Sequence, residues 1–120
     1  MNNISVFALN GISVQLDQEF ISLNKLWEMA GSPENQNPYE WSRLPQTNKL
    51  ISQMLTEQGF QNAEKSRIIK SKRGKGGGTT AHWKLALDYA GYLSPALKSQ
   101  FYDWVKERIE EESNLSLIHI

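Results

Sequence analysis

The segment from Lys70 to Thr80 reads KSKRGKGGGTT and contains four basic side chains, four glycines and no acidic residue. Short patterns typical of β-strands flank it, Ser66 to Lys70 on one side and Thr79 to Trp83 on the other. Because glycine adopts turn conformations without steric cost, the segment predicts a β-hairpin with a flexible basic tip. Such a tip suits a phosphate-binding loop of a nucleotide enzyme, a nucleic-acid contact, or a solvated turn that has no partner.

The charge of the chain is concentrated around this segment. Net charge is zero, yet residues 65–87 carry seven bases and no acid. Residues 1–64 carry seven acids and three bases, and residues 88–120 carry six acids and three bases. This distribution argues against a generally basic nucleic-acid binder and predicts one localised positive surface.

Motifs of nucleotide and metal chemistry are absent from the sequence. A P-loop requires Gly-Lys followed by Ser or Thr, whereas Gly78 is followed by Thr79, and GxGxxG fails because position 79 is not glycine. The chain has no cysteine, and its two histidines, His82 and His119, lack HExxH spacing. We therefore expect no enzymatic activity, no cofactor and no metal site.

The rest of the sequence predicts an α+β fold. Asn10-Gly11 between two alternating runs, Ile4–Leu9 and Ile12–Leu16, predicts an N-terminal β-hairpin. Helical periodicity and capping signals then predict five helices, namely Ser22 to Gly31, a short helix from Pro38 that Pro45 stops, about Thr47 to Gln58, Trp83 to Leu93, and a last helix from Ser94-Pro95. Trp27, Trp41 and Trp104 fall on apolar stripes, which favours the core over a stacking platform for single strands.

This order of elements resembles a winged helix-turn-helix module, in which a helix pair precedes a β-hairpin. We expect a single helix-dominated domain over residues 1–112 and a short C-terminal tail at residues 113–120. The helix from Thr47 presents polar side chains opposite its apolar side, and such side chains can pair with base edges; they are Gln46, Asn48, Lys49 and Gln53. An ordinary solvated helix face is the other interpretation of the same residues.

The predicted hairpin supplies candidates for phosphate contacts, which give affinity and salt dependence rather than sequence choice. They are Arg67, Lys70, Lys72, Arg73, Lys75, Thr79, His82 and Lys84. His82 has a second interpretation, a structural histidine held by hydrogen bonds.

The stretch GKGGGTTAHWKLALDYAGYLSPALKSQFYDWV, from Gly74 to Val105, resembles the signature half of the KilA-N domain family. The shared features are a glycine-rich hairpin with Gly-Thr, a histidine, a Leu-Ala helix, Leu-Ser-Pro and an aromatic-rich helix that ends in Trp-Val. GISVQLDQEFISLNKLWEMAG, from Gly11 to Gly31, is similar to the start of that domain, and the resemblance covers roughly residues 8–108. This chain has Thr80 and Trp83 where the family commonly has Trp and Pro.

The resemblance implies a DNA-binding module of phages, prophages and large DNA viruses that is similar to fungal APSES domains. The Thr47 helix would be the recognition helix and the Lys65–Trp83 hairpin the wing. The expected partner is duplex DNA, and the expected role is a transcriptional regulator or antirepressor. The alternative is an inhibitor or antirepressor that binds a host or phage protein through the same fold. A homodimer would suit palindromic DNA.

The first residues lack the basic and apolar segments of a signal peptide, and no apolar run approaches the roughly 18 residues of a membrane span. We therefore expect a cytoplasmic location in the bacterial host and no membrane partner.

Overall fold

The computed structural model describes residues 6–17, 19–74 and 77–118. The elements are β1 (Val6–Leu9), β2 (Ile12–Gln15), β3 (Phe20–Ser22), α1 (Leu23–Met29), α2 (Pro38–Ser42), α3 (Pro45–Glu57), a 3₁₀ helix (Asn62–Arg67), β4 (Ile69–Lys72), β5 (Gly78–His82), α4 (Trp83–Leu93) and α5 (Pro95–Ile118). About 56% of the chain is helical, and antiparallel strands lie at the N-terminus. The predicted α+β class is therefore confirmed.

The strands form two antiparallel sheets. β1 and β2 make the predicted hairpin, whose turn residues Asn10 and Gly11 have φ of 55° and 79°. The second sheet has the order β3–β5–β4, so β5 is central. β3 was not predicted, because three residues are too few for a periodic signal and its partner β5 lies far along the chain. Ile21 of β3 lies opposite Ala81, which in turn lies opposite Ile69 of β4.

The predicted strand from Ser66 to Lys70 is wrong at its first residues. Ser66 and Arg67 end the 3₁₀ helix, and β4 begins only at Ile69. The helical turn forms because Gln61 and Glu64 cap each other, and the Gln61 backbone N–H donates to the Glu64 carboxylate at 3.0 Å. Arg67 therefore lies before β4 rather than on it.

Capping side chains stabilise the first turns of α1 and α2. Ser22 Oγ accepts the Lys25 N–H at the start of α1, and Asn37 Oδ1 accepts the Glu40 N–H at the start of α2. α3 begins at Pro45, two residues earlier than predicted, because proline is tolerated at a first helical position. The same proline keeps Leu44 extended, so only Arg43 and Leu44 separate α2 from α3.

The core lies between the helices, the inner face of the three-stranded sheet and the β1–β2 hairpin, which contributes Phe7 and Val14. Its largest fully buried side chains are Trp41, Tyr89 and Phe101. The Trp41 indole N–H donates to the Asp88 carboxylate at 3.0 Å, and its ring packs against Tyr89. The predicted core positions of Trp41 and Trp104 are confirmed, whereas Trp27 is half-buried and donates to the Pro33 carbonyl.

The C-terminal helix packs on α4 and continues beyond the boundary predicted for the domain. Ser94 Oγ accepts the Leu97 N–H at its start, and the helical backbone extends to Ile118. Residues 113–118 of the expected tail therefore continue α5, and residues 119–120 lie outside the described part of the chain. Across the described residues, no helix combines the length and the hydrophobicity needed to span a membrane.

Candidate nucleic-acid interface

One exposed face of α3 is polar over its whole length. Asn48, Lys49, Ser52, Gln53 and Thr56 line a shallow depression on this face. The opposite side of the helix is buried through Thr47, Ile51, Met54 and Leu55. The sequence-predicted residues Asn48, Lys49 and Gln53 are thus brought together on one open surface.

The predicted recognition residues differ in how free their side chains are. The Asn48 amide donates to the carbonyls of Leu44 and Ser42, at 3.1 and 3.4 Å, and so closes the turn between α2 and α3. The Gln53 amide donates to Glu57. Lys49 is exposed and has no side-chain partner among the described residues. Of the predicted set, Lys49 is therefore better placed than Asn48 to reach a ligand.

Gln46 lies apart from the other predicted recognition residues. It borders a separate depression that Trp41, Asp88 and Lys98 also line. The reason is its position in the first turn of α3, which faces the junction with α4 and α5. Gln46 is exposed, so it stays accessible at the N-terminal end of the helix.

The hairpin formed by β4 and β5 carries its lysines on one face. Side chains alternate between the faces of a strand, so Lys70 and Lys72 project from the face opposite Ile69. Because Ile69 packs against the core, these lysines lie on the outer face of the sheet, and both are exposed. Arg73 follows directly at the start of the turn and is exposed, whereas Lys75 lies outside the described residues.

Three other predicted hairpin residues have partners within the protein. The Arg67 guanidinium contacts the Glu64 carboxylate at 3.2 Å and lies over the Phe60 ring at 4.4 Å. Together with the backbone N–H of Gln61, which is the larger influence, it lowers the pKa of Glu64. The Thr79 hydroxyl shares a hydrogen bond with Ser71 across the strands, and the Lys84 ammonium lies 6.0 Å from the Trp83 ring centroid.

A side chain outside the hairpin anchors β5, the central strand of the three-stranded sheet. Asn24, in the first turn of α1, accepts the backbone N–H of Thr79 at 2.8 Å. The preceding Gly78 has φ of 141°, and a Cβ added there would lie 2.8 Å from Asn24 Oδ1. Glycine is therefore required where the hairpin approaches α1. Sequence reasoning missed Asn24, since its only signal would have been the strand pairing that brings α1 to β5.

α3 and the hairpin lie side by side. A depression between them is lined by Ser42 and Ile51 on the helical side. On the other side it is lined by the end of the 3₁₀ helix and by β4, including Lys65 and Lys70. Lys65 is an exposed base that was not among the site residues predicted from the sequence. The depression therefore separates the α2–α3 pair from the beginning of the basic hairpin.

His82 joins β5 to α4. Its Nδ1 accepts the backbone N–H of Lys84 at 3.1 Å and so caps the helix, which leaves Nε2 to carry the proton and donate to Glu19 at 3.2 Å. Burial lowers the pKa of His82, and Lys84 adds to this, although Glu19 opposes the effect. Both ring nitrogens are thus engaged within the protein, which favours the structural interpretation of His82 over a phosphate contact.

The capping role of His82 predicts a loss of stability in mild acid. The pKa of the folded state lies below the ordinary value of 6.5, so the unfolded chain takes up the proton more readily. The contribution of neutral His82 to the free energy of unfolding is therefore complete above about pH 6.5 and is lost as the pH falls through the lowered pKa. The urea midpoint should fall between pH 7 and pH 5 and should fall less in His82→Asn, which keeps a capping side chain. Equal decreases in both proteins would contradict this role.

A comparison with protein-family models identifies the fold. The model described as the KilA-N domain matches residues 6–111. The chain belongs to the KilA-N domain family. In this KilA-N domain, the glycine-rich motif lies between β4 and β5 in the chain, the histidine caps α4, and Leu-Ser-Pro spans the junction at which α4 ends and α5 begins.

A curated relative of this KilA-N domain comes from a bacteriophage. The chain is 38% identical to Protein kilA of Escherichia phage P1 over 77 residues, which cover 64% of this chain and 27% of the phage protein. The chain therefore spans little more than a quarter of the length of that relative. No solved structure matches the chain significantly.

Proposed function

We propose that this KilA-N domain is a phage-type regulatory protein that binds duplex DNA in the manner of a winged helix-turn-helix. KilA-N domains are in general DNA-binding domains. The observation that carries the proposal is that the helix pair α2–α3 lies next to the basic hairpin, since one depression is lined by Ser42 and Ile51 on one side and by Lys65 and Lys70 on the other. In this arrangement α3 reads base edges and the β4–β5 hairpin contacts phosphates.

The hairpin and α3 would have different roles in DNA binding, phosphate contacts for the hairpin and base contacts for the helix. Lys70, Lys72 and Arg73 are exposed bases without an acidic partner among the described residues, so their charge is available to the phosphate backbone. Lys49 and Gln46 would supply sequence choice, because a lysine or an amide can hydrogen-bond to guanine or adenine in the major groove. Asn48 and Arg67 would instead hold the α2–α3 turn and the start of the hairpin in place.

Selection from a random duplex library at near-physiological salt tests this function directly. We expect one enriched sequence and an affinity that falls with salt at a log–log slope of about −4 to −6, as contact with five to seven phosphates requires. Lys49→Ala and Gln46→Ala should relax the preference by about 1–3 kcal/mol per contacted base. Gln100→Ala, on the exposed surface of α5, is the matched control. Absence of duplex binding would refute the proposal.

A second candidate function, binding of a host or phage protein, has one observation in its favour. Tyr39 is 61% exposed on α2, and the Arg43 guanidinium lies 5.3 Å from its ring centroid. Tyrosine and arginine are enriched where proteins meet. A partner retained by the nuclease-treated wild type and lost by Tyr39→Ser would support this function, whereas loss of all partners after nuclease treatment would favour DNA.

A further inference from the structure

A continuous groove crosses the outer face of the three-stranded sheet. At one end it is lined by β2, Phe20 and Lys25, and at the other end by Lys72, Gly77 and Gly78. Ser22, Lys70 and Thr80 line both parts, so the two depressions form one channel from the N-terminal hairpin to the beginning of β5. This surface lies on the side of the sheet opposite the core, and none of the recognition residues on α3 belongs to it.

The groove is positively charged. Three lysines, Lys25, Lys70 and Lys72, line it, against one carboxylate, Asp17, among its described residues. The Lys70 ammonium lies 4.7 Å from the centroid of the Phe20 ring, and this cation–π contact positions the charge within the groove. Lys25 comes from α1 and therefore adds a base that lies outside the basic sequence window.

Hydroxyl groups between the lysines provide further donors. Ser22 Oγ accepts the backbone N–H of Lys25, which leaves its own hydrogen free to donate. The Thr80 hydroxyl, on the same face, has no hydrogen-bond partner among the described residues. Lysine ammonium and hydroxyl groups are the donors that proteins use to bind the phosphates and sugars of nucleic acids.

The position of Lys70 connects the groove to the surface of α3. Lys70 lies on an edge strand and lines both the groove and the depression between β4 and α3. A DNA strand that leaves α3 across this edge would therefore enter the groove. We propose that the groove binds the phosphate backbone of the DNA that α3 contacts, with Lys25 as a phosphate-binding residue. The proposal rests on the DNA-binding function proposed above.

Neutralising substitutions test the groove without disturbing the core. Lys25→Gln should weaken duplex binding about fivefold to tenfold at 0.1 M salt and reduce the log–log salt slope by about one unit, since one phosphate contact is lost. Asp17→Asn removes the opposing charge and should strengthen binding. Lys106→Gln, an exposed lysine on α5, is the matched control and should change neither quantity. The duplex should exceed about 13 bp, the length of the 43 Å long axis of the protein at about 3.4 Å per base pair.

The outcomes separate this inference from the function on which it rests. If wild type binds duplex and Lys25→Gln behaves like Lys106→Gln, the groove proposal is overturned and the DNA-binding function stands. If wild type does not bind duplex, both are overturned. Amine acetylation gives an independent readout, in which duplex should protect Lys25 but leave Lys106 reactive. Protection of Lys25 by inorganic phosphate and not by duplex would replace the DNA backbone with a small phosphorylated ligand.

Discussion

Reversing two charges at the end of β4, Lys72→Glu with Arg73→Glu, is expected to weaken duplex binding by about a hundredfold at 0.1 M salt. Both side chains are exposed and follow each other where the strand enters the glycine-rich turn. Each lost phosphate contact removes about 0.9 from the log–log salt slope, so two contacts account for most of this decrease. Repulsion between the new carboxylates and the backbone adds to it. Fluorescence anisotropy against a labelled duplex over a salt series measures both quantities.

The control for this variant has the same net charge. Ser99→Glu, Gln100→Glu and Lys106→Glu together change the net charge by the same four units at exposed positions of α5, and none of the three lines the depression that contains Gln46. Its affinity should decrease only through the general change in protein charge, which salt screens over about 10 Å at 0.1 M. Equal losses in this control and in the Lys72→Glu, Arg73→Glu variant would mean that the overall field, rather than the hairpin, attracts the DNA, and the wing assignment would then be wrong.

Replacing Trp41 with alanine is expected to cost about 3–5 kcal/mol of unfolding free energy, the usual range for a buried large aromatic side chain. Trp41 is 1% exposed, packs on Tyr89 and donates to Asp88. Domains of this kind have a total stability of only about 5–15 kcal/mol. The variant should therefore be partly or wholly unfolded at 37 °C, as circular dichroism during urea or thermal unfolding would reveal.

Two companion substitutions separate the contributions of volume and hydrogen bond. Trp41→Phe retains an aromatic ring but leaves Asp88 without its donor, so its cost should lie between those of wild type and Trp41→Ala. Tyr39→Ala changes an exposed aromatic on the same short helix and should alter stability by less than about 1 kcal/mol. A small effect of Trp41→Ala would show that α2 is not part of the cooperative core.

Local signals in the sequence predicted much of the fold. Asn10-Gly11, the caps at Ser22 and Asn37, and the proline that separates α2 from α3 act within a few residues, so a single sequence reveals them. β3 and the 3₁₀ helix were missed for different reasons. β3 is too short for periodicity, and the 3₁₀ helix depends on a reciprocal cap at Gln61 and Glu64, while its last two residues, Ser66 and Arg67, were assigned to the strand that follows.

The candidate site was predictable in its charge but not in its geometry. The basic window pointed to the hairpin, yet only the packing of Ile69 against the core shows that the face shared by Lys70 and Lys72 is the outer face of the sheet. Composition also could not distinguish free bases from engaged ones, so Arg67 and Lys72 were equivalent in sequence although Arg67 pairs with Glu64. The places of Asn24 and Lys25 beside the hairpin could not be predicted, because α1 lies against β5 through a long-range contact that has no local sequence signature.

The anchoring of the hairpin by α1 also has a consequence for the order of folding. An isolated two-stranded hairpin is marginal in water, so β4 and β5 need the added edge of β3 and the Asn24 bond to become stable. Both contributions come from the first quarter of the chain. These anchors are therefore already synthesised when β5 emerges, and a nascent chain released before that point would lack the central strand of its sheet.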